Sequence, residues 1–394
     1  MRELCEILER ACSETHLPGA VALVAGPEGE EVAEVGCRSV GGAPMTRDTI
    51  VRIASITKPL VAAATMVLRD RGRLRFEDEI RRWVPELATP SVLRTPSSPL
   101  DDVVPLRRPI TVRDLLTFQG GYGMPEDFEA PIMAALGDGL GQAAPSPRSW
   151  PAPDEWARRL GELPLVHQPG EGWTYNTGAD VLGLLLARAE QRPLGDVLEE
   201  TLLGPLGMHD TGFWNSTTER LATYYRRGER PDELVVVDPA EGEWSAPPPF
   251  ESGAGGLLST LDDWAAFGRM LLAGGNTPDA ATGTRAGTRV LSEEAVRLMT
   301  TAHVDGGPEH VFLDGQGWGF GGSVDLRRVE PWNVLGRYGW AGGTGTAAYV
   351  IPSLGRVVVF LSQVELRGPQ DFEAAGRVLA YAADASWPRG GKGL

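Results

Sequence analysis

The sequence predicts an α+β fold, with an antiparallel sheet formed by its N- and C-terminal segments, flanked by helices, and a mostly helical middle region. Three observations carry this reading. Period-two apolar patterning occupies both ends of the chain, at residues 20–25 and 31–37 and again between 317 and 363. Helical apolar spacing dominates the stretch between them. No internal repeat and no clean linker divides the 394 residues. The expectation is therefore one unit, with residues 1–75 and 300–394 as the sheet part and 76–299 as the helical part with long loops.

Residues 2–14 form an amphipathic pattern through Leu4, Leu8 and Ala11. Two strands follow, joined by the turn Gly26-Pro27-Glu28-Gly29. Pro59 is tolerated only in the first turn of a helix, so a helix starts near Ser55 and runs to Arg71, with Gly72 as its stop signal. Residues 89–109 are Pro-rich and read as irregular. Thr111-Val-Arg-Asp114 offers a capping box for a short helix through Leu116. Residues 121–154 mix Gly, Pro and acidic residues, which predicts a long surface excursion that could act as a lid. Helical spacing returns at 179–190, 194–203 and 261–273, the last with Thr260 as N-cap and Gly274-Gly275 as its end. A small-residue loop spans 277–288, and Ser292 caps a helix to Thr300. Strand patterns at 317–325, 334–340, 347–351 and 356–363 lead to a closing helix over 372–384.

Composition excludes several function classes. A hydrophobic content of 42% with 23% charged residues is ordinary for a globular protein. The net charge of −16 argues against nucleic acid or an anionic membrane surface as partner. Cys5, Cys12 and Cys37 cannot build a disulfide framework. The opening segment is too charged for a signal sequence, and no apolar run approaches 18 residues, so a cytoplasmic protein is expected. The five histidines show no ligand spacing, and neither a metal nor a cofactor is expected. Gly317-Trp-Gly-Phe-Gly-Gly322 formally matches a dinucleotide-binding fingerprint. No helix pattern follows it, so it reads as a Gly-rich strand.

The chemistry starts at Ser55-Ile-Thr-Lys58. Of the 37 basic residues, all but Lys58 and Lys392 are arginine. One helical turn places Ser55 and Lys58 on one face, roughly 5–6 Å apart at Cβ. A serine hydroxyl needs a neighbouring base to become a nucleophile. Lysine can be that base when burial lowers its pKa, whereas arginine stays protonated. A second signal is Trp173-Thr-Tyr175-Asn176-Thr177-Gly178 at the start of a helix, where a tyrosine hydroxyl could shuttle a proton. A third is Tyr338-Gly-Trp340-Ala341-Gly342-Gly343, where small residues follow a strand end and a backbone N–H could face an oxyanion. No G-x-S-x-G elbow is present, which disfavours a Ser-His-Asp hydrolase.

In this order, Ser55-x-x-Lys58, Tyr175 and Trp340-Ala-Gly342 resemble the serine hydrolases of the class C β-lactamase and penicillin-binding-protein superfamily, and among them the family VIII carboxylesterases. The segments 46–55, 114–121 and 250–257 are similar to the family's as well. The resemblance implies a β-lactamase/transpeptidase-like fold, Ser55 as acylated nucleophile and Lys58 with Tyr175 as general-base pair. It implies the backbone N–H groups of Ser55 and Gly343 as oxyanion hole. Trp340, Ala341, Gly342, Phe118, Gln119, Tyr122 and Thr177 are the expected substrate-binding residues. Trp340 stands where the β-lactamases have Lys, and Thr177 where they have Asn, and both departures fit an esterase acting on a small-molecule ester or acyl substrate. An acyltransferase or peptide cyclase using the same acyl-enzyme, a weak β-lactamase or D-amino-acid peptidase, and a non-enzymatic binding protein are the alternatives.

Overall fold

The computed structural model describes residues 2–385 apart from 143–145, 231, 278–286 and 309. Most of the loop expected at 277–288, and Lys392, lie outside the described residues. The main sheet has eight strands: β1 (Gly19–Gly26), β2 (Gly29–Gly36), β3 (Val304–Asp305), β4 (Gln316–Trp318), β5 (Ser323–Asp325), β6 (Tyr338–Gly342), β7 (Thr346–Ile351) and β8 (Arg356–Leu361). Their order is β2-β1-β8-β7-β6-β5-β4-β3, antiparallel throughout. The first hairpin thus docks on the last strand, as the patterning at the two chain ends predicts. The outer strand β2 carries Glu30, Glu31 and Glu34, charges that discourage pairing with a further strand.

Side chains alternate between the two faces of the sheet. Ala20, Ala22, Val358 and Phe360 meet Leu4 and Leu8 of the Arg2–Glu14 helix and Val378 and Leu379 of the Glu373–Ala382 helix. Val21, Leu23, Val357 and Val359 face the larger core, which takes in the helices Lys58–Asp70 and Leu261–Leu272. At Gly268 the second of these helices lies so close to the sheet that a Cβ would sit 2.7 Å from the Val357 side chain. The result is a sheet between a terminal helix pair and a mostly helical body. This is the β-lactamase/transpeptidase-like α+β fold.

Three expectations need correction. Residues 121–154 are not a structureless excursion: Pro131–Leu140 is a helix that buries Ile132, Leu136 and Leu140 in the main core, and Pro153 opens another. The spacing of those three residues is helical, but Gly137 and Gly139 obscure it in the sequence. The Pro-rich 89–109 stretch contains a short hairpin, Val92–Leu93 with Val103–Val104. The strand expected at 317–325 is split into β4 and β5 by a turn at Gly319–Gly322, whose ends are joined by a backbone hydrogen bond of 2.8 Å. Gly321 in that turn has φ +76°, and a Cβ there would lie 2.5 Å from the Lys58 carbonyl oxygen. The turn is therefore packed onto the backbone of the candidate base.

Candidate active site

Ser55 lies in a 3₁₀ turn, Ala54–Thr57, that feeds directly into the Lys58–Asp70 helix, with Pro59 in its first turn. Ala54 is held at φ +46°, a left-handed conformation that a non-glycine residue adopts only under constraint. The constraint comes from the far end of the chain. Thr344 and Thr346 donate hydroxyl hydrogen bonds to the carbonyls of Arg52 and Ile53, at 2.6 and 2.9 Å. Gly342 sits so close that a Cβ would lie 2.5 Å from the Ile53 oxygen and 3.2 Å from Ala54 Cβ. The end of β6 and the turn that carries Ser55 thus share one crevice, and Gly343 is exposed at its edge.

Lys58 is buried, and its Nζ has three oxygen neighbours: Ser55 Oγ at 2.8 Å, Asn176 Oδ1 at 2.9 Å and the Ala254 carbonyl at 2.6 Å. Two of these, the amide oxygen and the carbonyl, can only accept. A neutral amine has two N–H bonds and one lone pair. With its two hydrogens given to Asn176 and Ala254, the lone pair is left for the Ser55 O–H. The protonated form is equally satisfied, donating to all three. Lys58 can therefore gain and lose a proton without leaving a buried polar group unpaired. Burial pulls its pKa well below the ordinary lysine value, opposed by the negative charge of Asp180.

Tyr175 lies on the other flank. Its hydroxyl accepts a hydrogen bond from Trp340 Nε1 at 2.6 Å, and Lys58 Nζ lies 4.6 Å from its ring centroid. Burial pushes the phenol up to about 12, with hydrogen bonds to Ser55 and Trp340 acting the other way. Tyr175 thus rests protonated near neutral pH, which leaves Lys58 as the member of the pair able to accept a proton. The Tyr175 ring stacks on Phe312 at 4.7 Å, which fixes the direction of its hydroxyl.

The residue after it, Asn176, has φ +78° and ψ −74°, and the Thr177 N–H bonds back to the Tyr175 carbonyl at 3.1 Å. This is a strained three-residue turn. It points Tyr175 and Asn176 into the same site just before the Thr177–Glu190 helix begins. On that helix, fully buried Asp180 accepts from Ser252 Oγ at 2.6 Å and Ala254 N–H at 3.0 Å through Oδ1, and from Gln142 Nε2 at 3.1 Å through Oδ2. It pins the loop whose Ala254 carbonyl receives Lys58. Burial raises its pKa, and the charge of Lys58 lowers it. The two groups titrate as a pair.

That coupling has a measurable sign. With Lys58 as the expected base its reactive form is the neutral amine, and kcat/KM is expected to fall as pH drops through the pKa of the pair. Asp180→Asn removes the charge that favours protonated Lys58. The acidic limb of the kcat/KM profile is then expected to move to lower pH, with turnover retained above it. A limb that stays in place, or moves to higher pH, would contradict this electrostatic role.

Ser55, Lys58 and Tyr175 converge as the sequence predicts, and Trp340 joins them. The other expected binding residues are placed differently. Thr177 is fully buried and donates its hydroxyl to Gln142 Oε1 at 2.9 Å, while Asn176 faces Lys58. Phe118 and Tyr122 are buried: Phe118 stacks on Trp318 at 4.7 Å, the Tyr122 carbonyl accepts from Thr174 Oγ1 at 3.1 Å, and Met124, two residues beyond Tyr122, exchanges backbone hydrogen bonds of 2.9 Å with Tyr175. Gln119 turns toward the Gly170 carbonyl at 3.4 Å. Phe118 packs edge-on against the Tyr175 ring at 6.1 Å, and none of these four residues lines the cavity beside Ser55. Ala341 and Gly342 lie on β6, paired with Ala347 and Thr346. The sequence does not mark Ser252, Ala254 or Asp180 as partners of Lys58, and it offers Asn176 only as a neighbour of Tyr175. An Asp in the first turn of a helix reads as an ordinary favourable charge, and nothing in its spacing marks it as buried.

The Beta-lactamase family model matches residues 6–383. An uncharacterized protein of Mycobacterium tuberculosis (strain CDC 1551 / Oshkosh) is 40% identical over 373 residues, 90% of this chain and 88% of that protein. Esterase EstB of Burkholderia gladioli is 30% identical over 383 residues, 92% and 90% of the two chains. Among solved structures, EstCE1, described as a hydrolase with promiscuous acyltransferase activity, superposes with a TM-score of 0.76 at 24% identity, over 96% of this chain and 98% of that one. The chain belongs to the beta-lactamase family, as a serine hydrolase of that superfamily with esterases and acyltransferases among its relatives.

Proposed function

We propose that the protein is a serine carboxylesterase working through an acyl-Ser55 intermediate. The observation that carries this reading is the arrangement around Lys58 Nζ, with two fixed acceptors taking its hydrogens and Ser55 Oγ at 2.8 Å facing the remaining lone pair. As Ser55 Oγ attacks the ester carbonyl, its proton passes to Lys58, and the carbonyl oxygen gathers negative charge against the N–H groups of Ser55 and Gly343. Collapse of the tetrahedral adduct breaks the bond to the alcohol oxygen, which leaves with a proton relayed by Tyr175. Water then repeats the sequence on the acyl-enzyme, giving up a proton to Lys58 and releasing the acid and free Ser55. Trp340 supports an ester over a β-lactam, because an indole supplies no cation for a β-lactam carboxylate.

The same acyl-enzyme could pass its acyl group to an alcohol or amine, and monacolin J acid methylbutanoyltransferase of Aspergillus terreus is a relative at 25% identity. Both readings require the acylated serine. Mass spectrometry of protein quenched during p-nitrophenyl butyrate turnover is expected to find a butyryl adduct on the peptide containing Ser55. Products formed with and without an added alcohol would then separate hydrolysis from transfer. Sustained turnover with label on no Ser55 peptide, even in rapidly quenched samples and with a slow-deacylating ester, would remove the proposal.

A further inference from the structure

Beside Ser55, on the side away from Tyr175, lies a cavity of about 150 Å³. Trp150, Phe213, Trp244, Phe250, Pro147 and Pro248 form its apolar wall. Trp150 and Phe250 are stacked at 5.5 Å, and Phe250 is backed by Trp156 at 4.7 Å, so this wall is a supported aromatic surface. Gly256 lets Phe213 reach the cavity, since a Cβ there would lie 2.9 Å from its ring. Gly141, at φ +73°, leaves room for the Trp150 indole, which a Cβ would approach to 2.6 Å.

Most of the polar side chains in the wall are already engaged. Arg52 is paired with Asp238 and bonds to the carbonyls of Ala222 and Pro239. Gln142 gives its amide to Asp180 and accepts from Thr177. Ser252 donates to Asp180, and Thr344 to the Arg52 carbonyl. A charged or strongly polar group entering here would lose water and find most of its natural partners occupied, at a cost that an apolar group does not meet. A dry apolar cavity of about this volume accommodates benzene.

The position of the cavity assigns the group it takes. The leaving alcohol must lie by the Tyr175 hydroxyl to receive its proton, on the flank of Trp340. The cavity is bordered by Ser55 and Asn176 but not by Tyr175 or Trp340. We propose that this cavity is the acyl pocket and that it selects esters with an uncharged, benzene-sized apolar acyl group. The proposal rests on the ester reading above for its chemistry, and on the cavity alone for its selectivity.

With a common p-nitrophenol leaving group, kcat/KM for the phenylacetate ester is expected to exceed that for the acetate ester by at least about tenfold. In Trp150→Ala that ratio should fall toward unity, and Trp150→Phe, which keeps a ring in the wall, should retain most of it. Circular dichroism would establish that both variants are folded. Binding provides a second readout that needs no turnover. In Ser55→Ala, phenylacetamide should bind at least about tenfold more tightly than acetamide by tryptophan fluorescence, and Trp150→Ala in that background should abolish the difference. Ester turnover without acyl preference, together with equal amide binding, would overturn the pocket and leave the esterase standing. So would a preference carried by the alcohol, with benzyl acetate favoured over methyl acetate. Selective amide binding in a protein that hydrolyses no ester would do the reverse, supporting the pocket and removing the esterase.

Discussion

Ser55→Ala is expected to reduce p-nitrophenyl butyrate turnover by at least about a thousandfold while leaving the fold intact. The substitution removes one half-buried oxygen and introduces no bulk. Lys58 keeps both of its other partners, Asn176 Oδ1 and the Ala254 carbonyl, which take both hydrogens of the neutral amine, and the Tyr175 hydroxyl loses its bond to Ser55 but keeps Trp340. Unchanged circular dichroism and thermal midpoint, with turnover at the background rate, is the predicted pair of results. Activity within a few-fold of wild type would mean that another group attacks the ester.

Lys58→Arg should cost about a hundredfold to ten thousandfold, the usual contribution of a positioned proton acceptor. Arginine retains the positive charge of the protonated lysine, so a merely electrostatic role would survive the change. It has no lone pair to offer, because its guanidinium stays protonated at any relevant pH. The pH profile separates the two cases. Wild type should lose activity as pH falls through the depressed pKa of Lys58, whereas the residual activity of the variant should show no such limb. An Arg variant within a few-fold of wild type, with the limb preserved, would refute the role of Lys58 as base. Lys58 is buried, so the larger guanidinium must also find room among its neighbours, and a thermal melt should accompany the kinetics.

The core of this site is legible in the sequence because its parts are local. Ser55 and Lys58 lie within one turn, and Tyr175 sits at a helix start whose boundary can be read from neighbouring residues. The sheet is equally legible: alternating apolar residues must occupy one face of a strand or the other, and both ends of the chain alternate. The rest depends on contacts that no local pattern records. Thr177 and Asn176 are adjacent, and only the strained turn at Asn176 decides which side chain meets Lys58. Phe118 and Tyr122 have the chemistry of pocket residues, but both side chains are buried, Phe118 against Trp318. The aromatic wall around Trp150 and Phe250 draws on loops distant in sequence. Asp180 is hidden for a similar reason, since its burial depends on Gln142 and Ser252 arriving from either side.

The pairing of β1 with β8 has a consequence for how the chain is made. Val21 lies opposite Leu361, so the first hairpin leaves the ribosome long before the strand that completes its sheet. At about 5–20 residues per second, the delay is on the order of half a minute. Throughout that interval the apolar residues of β1 have no β8 to cover their open edge. Synthesis must nearly finish before the threonines after β6 can clamp the turn at Ser55. An unfinished chain therefore carries Ser55 and Lys58 but not the crevice around them, and on the proposed function competence is expected only with the last strands. Release of the C-terminal segment, rather than synthesis of residues 55–58, should time the appearance of activity in a translation reaction.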